Sequence, residues 1–239
     1  MRRKIGKIKN RITDLELIER VLIQNTIIMA EEGCGKTHLA NTIREYVMDN
    51  GIPTLYLDFS DPDVDAVEER FKKSDRFFYL RFEESEAFDI ALNEAIAKRE
   101  NIYMAVNPNY FSNRHDIKSR LSHTIQTPEL LEHYYYFFHE ISLLNAFYTK
   151  FEDFMFYILS LVNLKKFGLT FLTQPHEIFE EPKIKLIFTF LYLGRCSSAN
   201  YYDAELKTLP AHTFIHQHRR DRRTLLFNAV ESDIVMINH

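Results

Sequence analysis

Val21-Leu-Ile-Gln-Asn-Thr-Ile-Ile-Met29 runs without a break into Ala30-Glu-Glu-Gly-Cys-Gly-Lys-Thr37. The first nine residues are an apolar, β-branched run short enough for a buried strand. The next eight fit the looser form of G-x-x-x-x-G-K-[ST], with Ala30 in place of the first glycine. From Lys36 the period changes: Leu39, Ile43, Tyr46 and Val47 recur at helical spacing, and Asn50-Gly51 followed by Pro53 supplies a stop. Thr54 to Phe59, TLYLDF, reads as a second buried strand closed by the turn-rich Ser60-Asp-Pro-Asp63. Strand, loop, helix, strand predicts two parallel strands, with the loop after the first at the carboxyl edge of a sheet.

That loop is built for phosphate. Backbone N–H groups from Gly33 to Thr37 would cradle it at a helix N-terminus, Lys36 would reach the β/γ oxygens, and the Thr37 hydroxyl would ligate Mg2+. Glycine is needed because it lets the backbone approach so closely. Ala30, Glu31, Glu32, Gly33, Cys34, Gly35, Lys36, Thr37 and His38 are therefore the candidate nucleotide-binding residues, with ATP and Mg2+ as the expected cofactors. Glu31-Glu32 places negative charge near a triphosphate, so these side chains are expected to point outward. Cys34 reads as a small filler rather than a reactive thiol. The competing reading is a glycine turn ahead of an ordinary helix.

Outward from this unit the alternation continues. Arg76 to Phe82 reads as a strand, Ser85 to Arg99 as a helix, Ile102 to Val106 as a strand, and Asn107 to His133 as a mostly polar segment. Tyr134-Tyr-Tyr-Phe-Phe138 is the most apolar strand and runs into His139-Glu140; a long helix is expected from Phe147 to Phe167, where Gly168 ends it. Leu169 to Thr173, closed by Gln174, and Ile184 to Leu193 read as strands, and Thr213 to His218 with Thr224 to Val230 as a hairpin around HRRDRR. Alternating β and α elements argue for an α/β sandwich with a largely parallel central sheet.

The 239 residues, 46% hydrophobic, suffice for a packed core, and six glycines and seven prolines leave no low-complexity linker. We expect a basic N-terminal arm over residues 1–14 and one folded domain over 15–239. A net charge of -4 excludes a uniformly basic nucleic-acid coat, so an anionic partner must be met by local patches. Two cysteines make no disulfide framework, and the most apolar stretch, Phe154 to Leu164, is too short to span a bilayer. An intracellular, cytoplasmic protein without a transmembrane segment is expected.

P-loop ATPases hold magnesium-bound water with a carboxylate and, in the hydrolytic branch, polarise the attacking water with a glutamate. Both usually follow an apolar strand. Here that strand is YYYFFHE, so Glu140 falls at the water-activating place, and His139 stands where an aspartate is expected. A neutral imidazole could hydrogen-bond a metal-bound water but brings no negative charge, so Asp58 is a candidate to help. Gln174 ends the next strand and would bring its amide to the edge that carries Lys36 and Glu140. The alternatives are a surface glutamate and an amide that caps the Pro175 turn.

Read in order, the P-loop, TLYLDFSDPD, YYYFFHE and LTFLTQ resemble the FtsK/HerA superfamily of DNA-translocating ATPases over roughly Val21 to Val230. The resemblance implies a three-layer P-loop NTPase fold of the additional-strand, RecA-like type, with a mostly parallel central sheet and here a C-terminal β-hairpin. It also implies ATP hydrolysis, a homo-oligomeric ring that is commonly a hexamer, and double-stranded DNA in its pore. The chain's small size is closer to the genome-packaging ATPases of membrane-containing icosahedral viruses, which adds a portal or membrane-associated partner and a host-cytoplasm or virion location to the expectations.

Three basic patches are candidates for DNA: the arm (Arg2, Arg3, Lys4, Lys7, Lys9, Arg11), Asn113 to His123 with Arg114, Lys118 and Arg120, and the tip His218-Arg-Arg-Asp-Arg-Arg223. Ring ATPases complete their site with an arginine from the adjacent subunit; Arg195, Arg219, Arg220, Arg222 and Arg223 are the candidates for that finger. His212, His216 and His218 lack a fixed fourth ligand and read as strand residues rather than a metal site. Two other functions compete with a motor. A P-loop kinase would use HRRDRR as an arginine-rich lid, and a non-hydrolysing, nucleotide-gated assembly module would bind without turnover.

Overall fold

The structure is a computed structural model, and it describes residues 20–60, 77–83, 85–107, 114–141, 157, 161, 164–176, 179, 188–197, 204–219 and 230–236. The chain divides into two compact units, Met1–Tyr46 with Gly168–His239, and Val47–Phe167.

The first unit is built on β1 (Thr26–Met29), a four-residue strand with a parallel neighbour on each side. Helix α1 (Lys36–Asp49) follows it. β1 is hydrogen-bonded in parallel to β6 (Leu169–Thr173) on one side and β7 (Phe190–Leu193) on the other. All residues of β1 and β6 are buried, which is why both read as unbroken apolar runs rather than as an alternation. β8 (Thr213–Arg219) adds antiparallel to β7, and β9 (Val230–Met236) antiparallel to β8, giving the order β6-β1-β7-β8-β9. Ahead of β1, Arg20–Ile23 forms a 3-10 turn rather than the start of the strand. The polar pair Gln24-Asn25 breaks the apolar run there, Ile23 is exposed, and the Leu22 carbonyl accepts from the Gly168 N–H at 2.8 Å.

The second unit carries β2 (Thr54–Asp58), β3 (Phe78–Phe82), β4 (Ile102–Val106) and β5 (Tyr135–His139), parallel throughout in the order β3-β4-β2-β5. Its core is aromatic: Tyr79, Tyr103, Tyr56 and Phe137 stack across the four strands with ring centroids 5.9, 5.2 and 5.7 Å apart. Same-face neighbours on adjacent strands are the unit of sheet stabilisation, and planar rings fill that spacing well. Helix α2 (Glu86–Ala97) is capped by Ser85, whose hydroxyl accepts from the Phe88 N–H at 3.1 Å, and it buries Phe88, Leu92 and Ala95.

Expectations are refined in two places. β1 pairs in parallel with β6 and β7, and β2 in parallel with β4 and β5. The segment read as mostly polar holds two helices, α3 (Arg114–Ile125) and α4 (Pro128–His133). There Ile117, Leu121 and Ile125 recur at helical spacing and are buried, with Pro128 at a first-turn position. The described strand paired with β8 is Val230–Met236, and the expected 224–229 lies outside the described residues. The N-terminal arm, most of the helix expected over 147–167, residues 184–187 and the tip 220–229 lie outside the described residues.

Candidate nucleotide-binding loop and acidic cluster

β1 delivers the chain into the loop under close control from both flanking strands. The Ala30 N–H donates to the Thr173 carbonyl at 3.3 Å, the Gly194 N–H to the Met29 carbonyl at 2.8 Å, and the Glu31 N–H to the Arg195 carbonyl at 3.0 Å. Ala30 tolerates its methyl because the facing position is glycine: a Cβ on Gly194 would lie 2.6 Å from the Ala30 Cβ. The small residue missing at 30 is thus supplied across the strand pair, at 194.

The loop turns through Gly33 and Gly35, with φ of 72° and 90°, a region that strongly favours glycine. Leu39 then donates to the Gly35 carbonyl at 3.0 Å, starting α1. The Lys36 Nζ donates to the loop's own carbonyls, Ala30 at 3.0 Å and Glu31 at 3.2 Å. Lys36 is buried, so the ammonium is drawn across the loop. Thr37 and His38 are exposed on the first turn of α1, and Cys34 is buried, as a filler should be. The two acidic side chains of the loop have different surroundings. The Glu31 carboxylate accepts from the N–H and hydroxyl of Ser197 and lies 3.5 Å from the Arg195 Nε, while Glu32 is exposed.

Gln174 and Arg195 both fall beside this loop. Parallel registers set Thr173 and Leu193 opposite Met29, so Gln174, at the next position, shares the carboxyl edge with Ala30. Gln174 is exposed there. Arg195, 40% exposed, pairs with Glu31 of its own chain. One histidine that the sequence reads as a strand residue lies instead in the turn before β8, beside the loop. His212, in a left-handed conformation (φ 60°), donates its N–H to the Cys34 carbonyl at 3.2 Å and lays its ring against Gly35. Nothing in the local sequence marks this contact, because it joins positions far apart along the chain.

In the second unit, parallel register places Asp58 opposite His139. The His139 Nδ1 is 2.9 Å from the Asp58 Oδ1. The same oxygen accepts from the Ser60 N–H at 2.9 Å and the Ser60 hydroxyl at 2.6 Å, and Oδ2 accepts from the Tyr103 hydroxyl. Burial alone would raise the Asp58 pKa, but the hydrogen bond and field of His139, with those of Ser60 and Tyr103, more than offset it and hold the carboxyl below its usual value. Burial, then the Asp58 charge, pushes the Tyr103 phenol far up, so it remains a donor. Glu140 follows at once, buried and left-handed with φ 53°. Glutamate rarely adopts that conformation, and such residues concentrate at functional sites.

Of the donors at the expected metal positions, the Thr37 hydroxyl suits Mg2+, whereas the His139 imidazole does not, because Mg2+ takes oxygen ligands. The Asp58 carboxylate is already engaged by four donor groups. Among the described residues no three His, Cys, Asp or Glu side chains gather as a metal site.

Of the basic patches, Arg120 is engaged in a surface ion pair, 2.7 Å from Asp89 Oδ1, and lies 5.4 Å from the centre of the Phe88 ring. Arg219 closes β8, and Arg220, Arg222 and Arg223 lie outside the described residues. No helix among the described residues is long and apolar enough to cross a membrane.

No protein-family model matches the chain, and no curated protein matches it in sequence. Solved structures do share its fold. The DNA-packaging ATPase B204 from Sulfolobus Turreted Icosahedral Virus superposes with a TM-score of 0.58 at 13% identity, over 92% of this chain and 100% of that one. The genome packaging NTPase B204 from Sulfolobus turreted icosahedral virus 2, in complex with sulfate, gives 0.54 at 11% identity, over 90% and 98%. The flagellar accessory protein FlaH from Methanocaldococcus jannaschii gives 0.50 at 15%, over 96% and 98%. At these identities the likeness is one of fold, and the RecA-like α/β P-loop fold with a mostly parallel sheet is the fold of this chain.

Proposed function

We propose that this chain is an ATPase that couples ATP hydrolysis to the translocation or packaging of double-stranded DNA, working as a homo-oligomeric ring. The observation that carries the nucleotide reading is the loop at the end of β1, where Lys36 is drawn across carbonyls of Ala30 and Glu31 while Glu31's own charge is turned onto Ser197 and Arg195. An anion entering such a loop meets N–H groups, a helix N-terminus and an ammonium, and the nearest carboxylate is already neutralised.

In this reading Lys36 and the loop N–H groups bind the phosphates and stabilise the charge that grows on them. Glu140 accepts the proton of the attacking water, and its left-handed backbone fixes where the carboxylate is presented. Gln174 orients that water or reads the γ-phosphate from the end of β6. B204, which shares the fold, is a DNA-packaging ATPase, and this favours DNA as the substrate. A hexameric ring, an arginine finger from Arg195, Arg219 or Arg220, a portal or membrane-associated partner, and a place in the host cytoplasm or the virion complete the proposal.

The test is steady-state ATP hydrolysis with and without long double-stranded DNA, at protein concentrations spanning ring assembly. Stimulation by DNA that rises cooperatively with protein concentration is expected. Turnover indifferent to both DNA and protein concentration would sink the motor, and bound ATP without any turnover would favour the assembly module.

A further inference from the structure

The chain just past β7 is pinned at successive residues. The Gly194 N–H donates to the Met29 carbonyl at 2.8 Å, and the Arg195 carbonyl accepts from the Glu31 N–H at 3.0 Å. The N–H of the buried Cys196 donates to the Leu206 carbonyl at 3.2 Å, and the N–H and hydroxyl of Ser197 donate to Glu31 Oε1. The approach at Gly194 is too close for a side chain, since a Cβ there would lie 2.6 Å from the Ala30 Cβ and 3.0 Å from the Phe214 ring. The backbone that carries Arg195 is therefore fixed against the phosphate loop, while its side chain, 40% exposed, reaches solvent. All of these residues belong to the first unit.

Two cations converge on Glu31. The Lys36 Nζ donates to its carbonyl at 3.2 Å, and the Arg195 Nε lies 3.5 Å from its Oε2. The second contact is long beside the roughly 2.7–2.9 Å of a charge-assisted hydrogen bond, and it is partly solvated, so it exchanges readily. Ser197 holds the other carboxylate oxygen and keeps Glu31 in place when Arg195 leaves. Lys36 is the side chain expected to reach the β/γ oxygens, and its ammonium lies on residues 30 and 31, which marks that end of the loop as the outer-phosphate end. A terminal phosphate carries more charge than the Glu31 carboxylate and offers paired oxygens that match the guanidinium fork.

We propose that Arg195 binds the terminal phosphate of ATP in cis, from the same chain as the loop, and that Glu31 parks it beside the loop in the nucleotide-free protein. This rests on the ATPase reading given above and deepens it. Arg195 makes the site prefer ATP to ADP, and the finger from the adjacent subunit is left to Arg219 or Arg220.

The test is calorimetric titration of ATPγS and of ADP, each with Mg2+, onto the full chain and onto Arg195→Ala and Arg195→Lys. The preference for ATPγS over ADP should fall about tenfold or more in Arg195→Ala, through loss of ATPγS affinity, and recover in part in Arg195→Lys, which restores the charge without the fork. A loop merely disturbed by loss of the Glu31 pair would weaken both nucleotides alike. Equal weakening, or an unchanged preference, therefore overturns the proposal. Adding excess Lys36→Ala chains to Arg195→Ala chains should restore neither the preference nor turnover, because the missing guanidinium belongs to the chain that binds. Restoration would show an arginine acting in trans and overturn the cis assignment alone. Wild-type protein that binds neither nucleotide overturns the ATPase reading, and this proposal with it.

Discussion

Gly35→Ala should be among the most damaging single-methyl changes in the loop, and its cost divides into two measurable parts. The backbone part arises because φ is 90°, in a region that costs an L-residue about 1–2 kcal/mol. The packing part arises because the new Cβ would lie 2.5 Å from the His212 Nδ1 and 3.3 Å from two of its ring carbons. The His212 backbone is tied in place, its N–H donating to the Cys34 carbonyl at 3.2 Å, so relief must come from rotating the ring out of its position. Overpacking of this kind costs about 1–3 kcal/mol. The sum, about 2–5 kcal/mol, is a large fraction of the roughly 5–15 kcal/mol that holds a typical domain together. Gly33 supplies the control: its φ is 72°, but a Cβ there meets nothing within 4 Å, so Gly33→Ala should carry the backbone part alone. Denaturant unfolding of the nucleotide-free protein, followed by circular dichroism, measures both. A double-mutant cycle of Gly35→Ala with His212→Gly should return a coupling of about 1–3 kcal/mol. Equal losses in Gly33→Ala and Gly35→Ala, or no coupling in the cycle, would refute the reasoning.

Lys36→Ala should weaken ATP binding about ten- to hundredfold, the worth of charge-assisted hydrogen bonds, as read by calorimetry. Glu140→Gln should keep ATP binding but lower single-turnover hydrolysis about 10²–10⁴-fold; normal turnover removes Glu140 from the mechanism. Because the Asp58 carboxyl is held below 3.8, its contribution to stability is full above that value and is lost as pH falls through the folded value beneath it. The stability deficit of Asp58→Asn should therefore be constant above about pH 5 and shrink on acidification; a deficit unchanged down to pH 2 speaks against it. Arg195→Ala should change stability by less than about 1 kcal/mol, since its ion pair with Glu31 is partly solvated. If Arg195 is the finger, turnover falls about 10³-fold with ATP still bound.

What the sequence disclosed is what depends on neighbours along the chain. The loop between β1 and α1 declares itself through spacing and through a change of hydrophobic period at Lys36. The buried parallel strands declare themselves as apolar runs, down to His139 at the end of β5. Pairing across the chain was hidden. The Gly194 that makes room for Ala30, the Ser197 that engages Glu31, and the His212 that covers Gly35 lie more than 160 residues from their partners, and no local pattern links them. The Asp58–His139 pair was half legible, as two polar ends of apolar strands, but its meeting required the β2–β5 register. Helix α3 is faint in the sequence because its apolar stripe of Ile117, Leu121 and Ile125 is thin among polar residues.

The stacked tyrosines have an optical consequence. The chain has 13 tyrosines and no tryptophan, so its intrinsic ultraviolet signal carries no indole contribution. Tyr56, Tyr79 and Tyr103 lie within 6 Å of a neighbouring ring in a fixed, chiral array, close enough for their transitions to couple. Near-ultraviolet dichroism should therefore follow the packing of the β3-β4-β2-β5 sheet, and a single tryptophan introduced near the loop after β1 would give that other unit a fluorescence channel of its own.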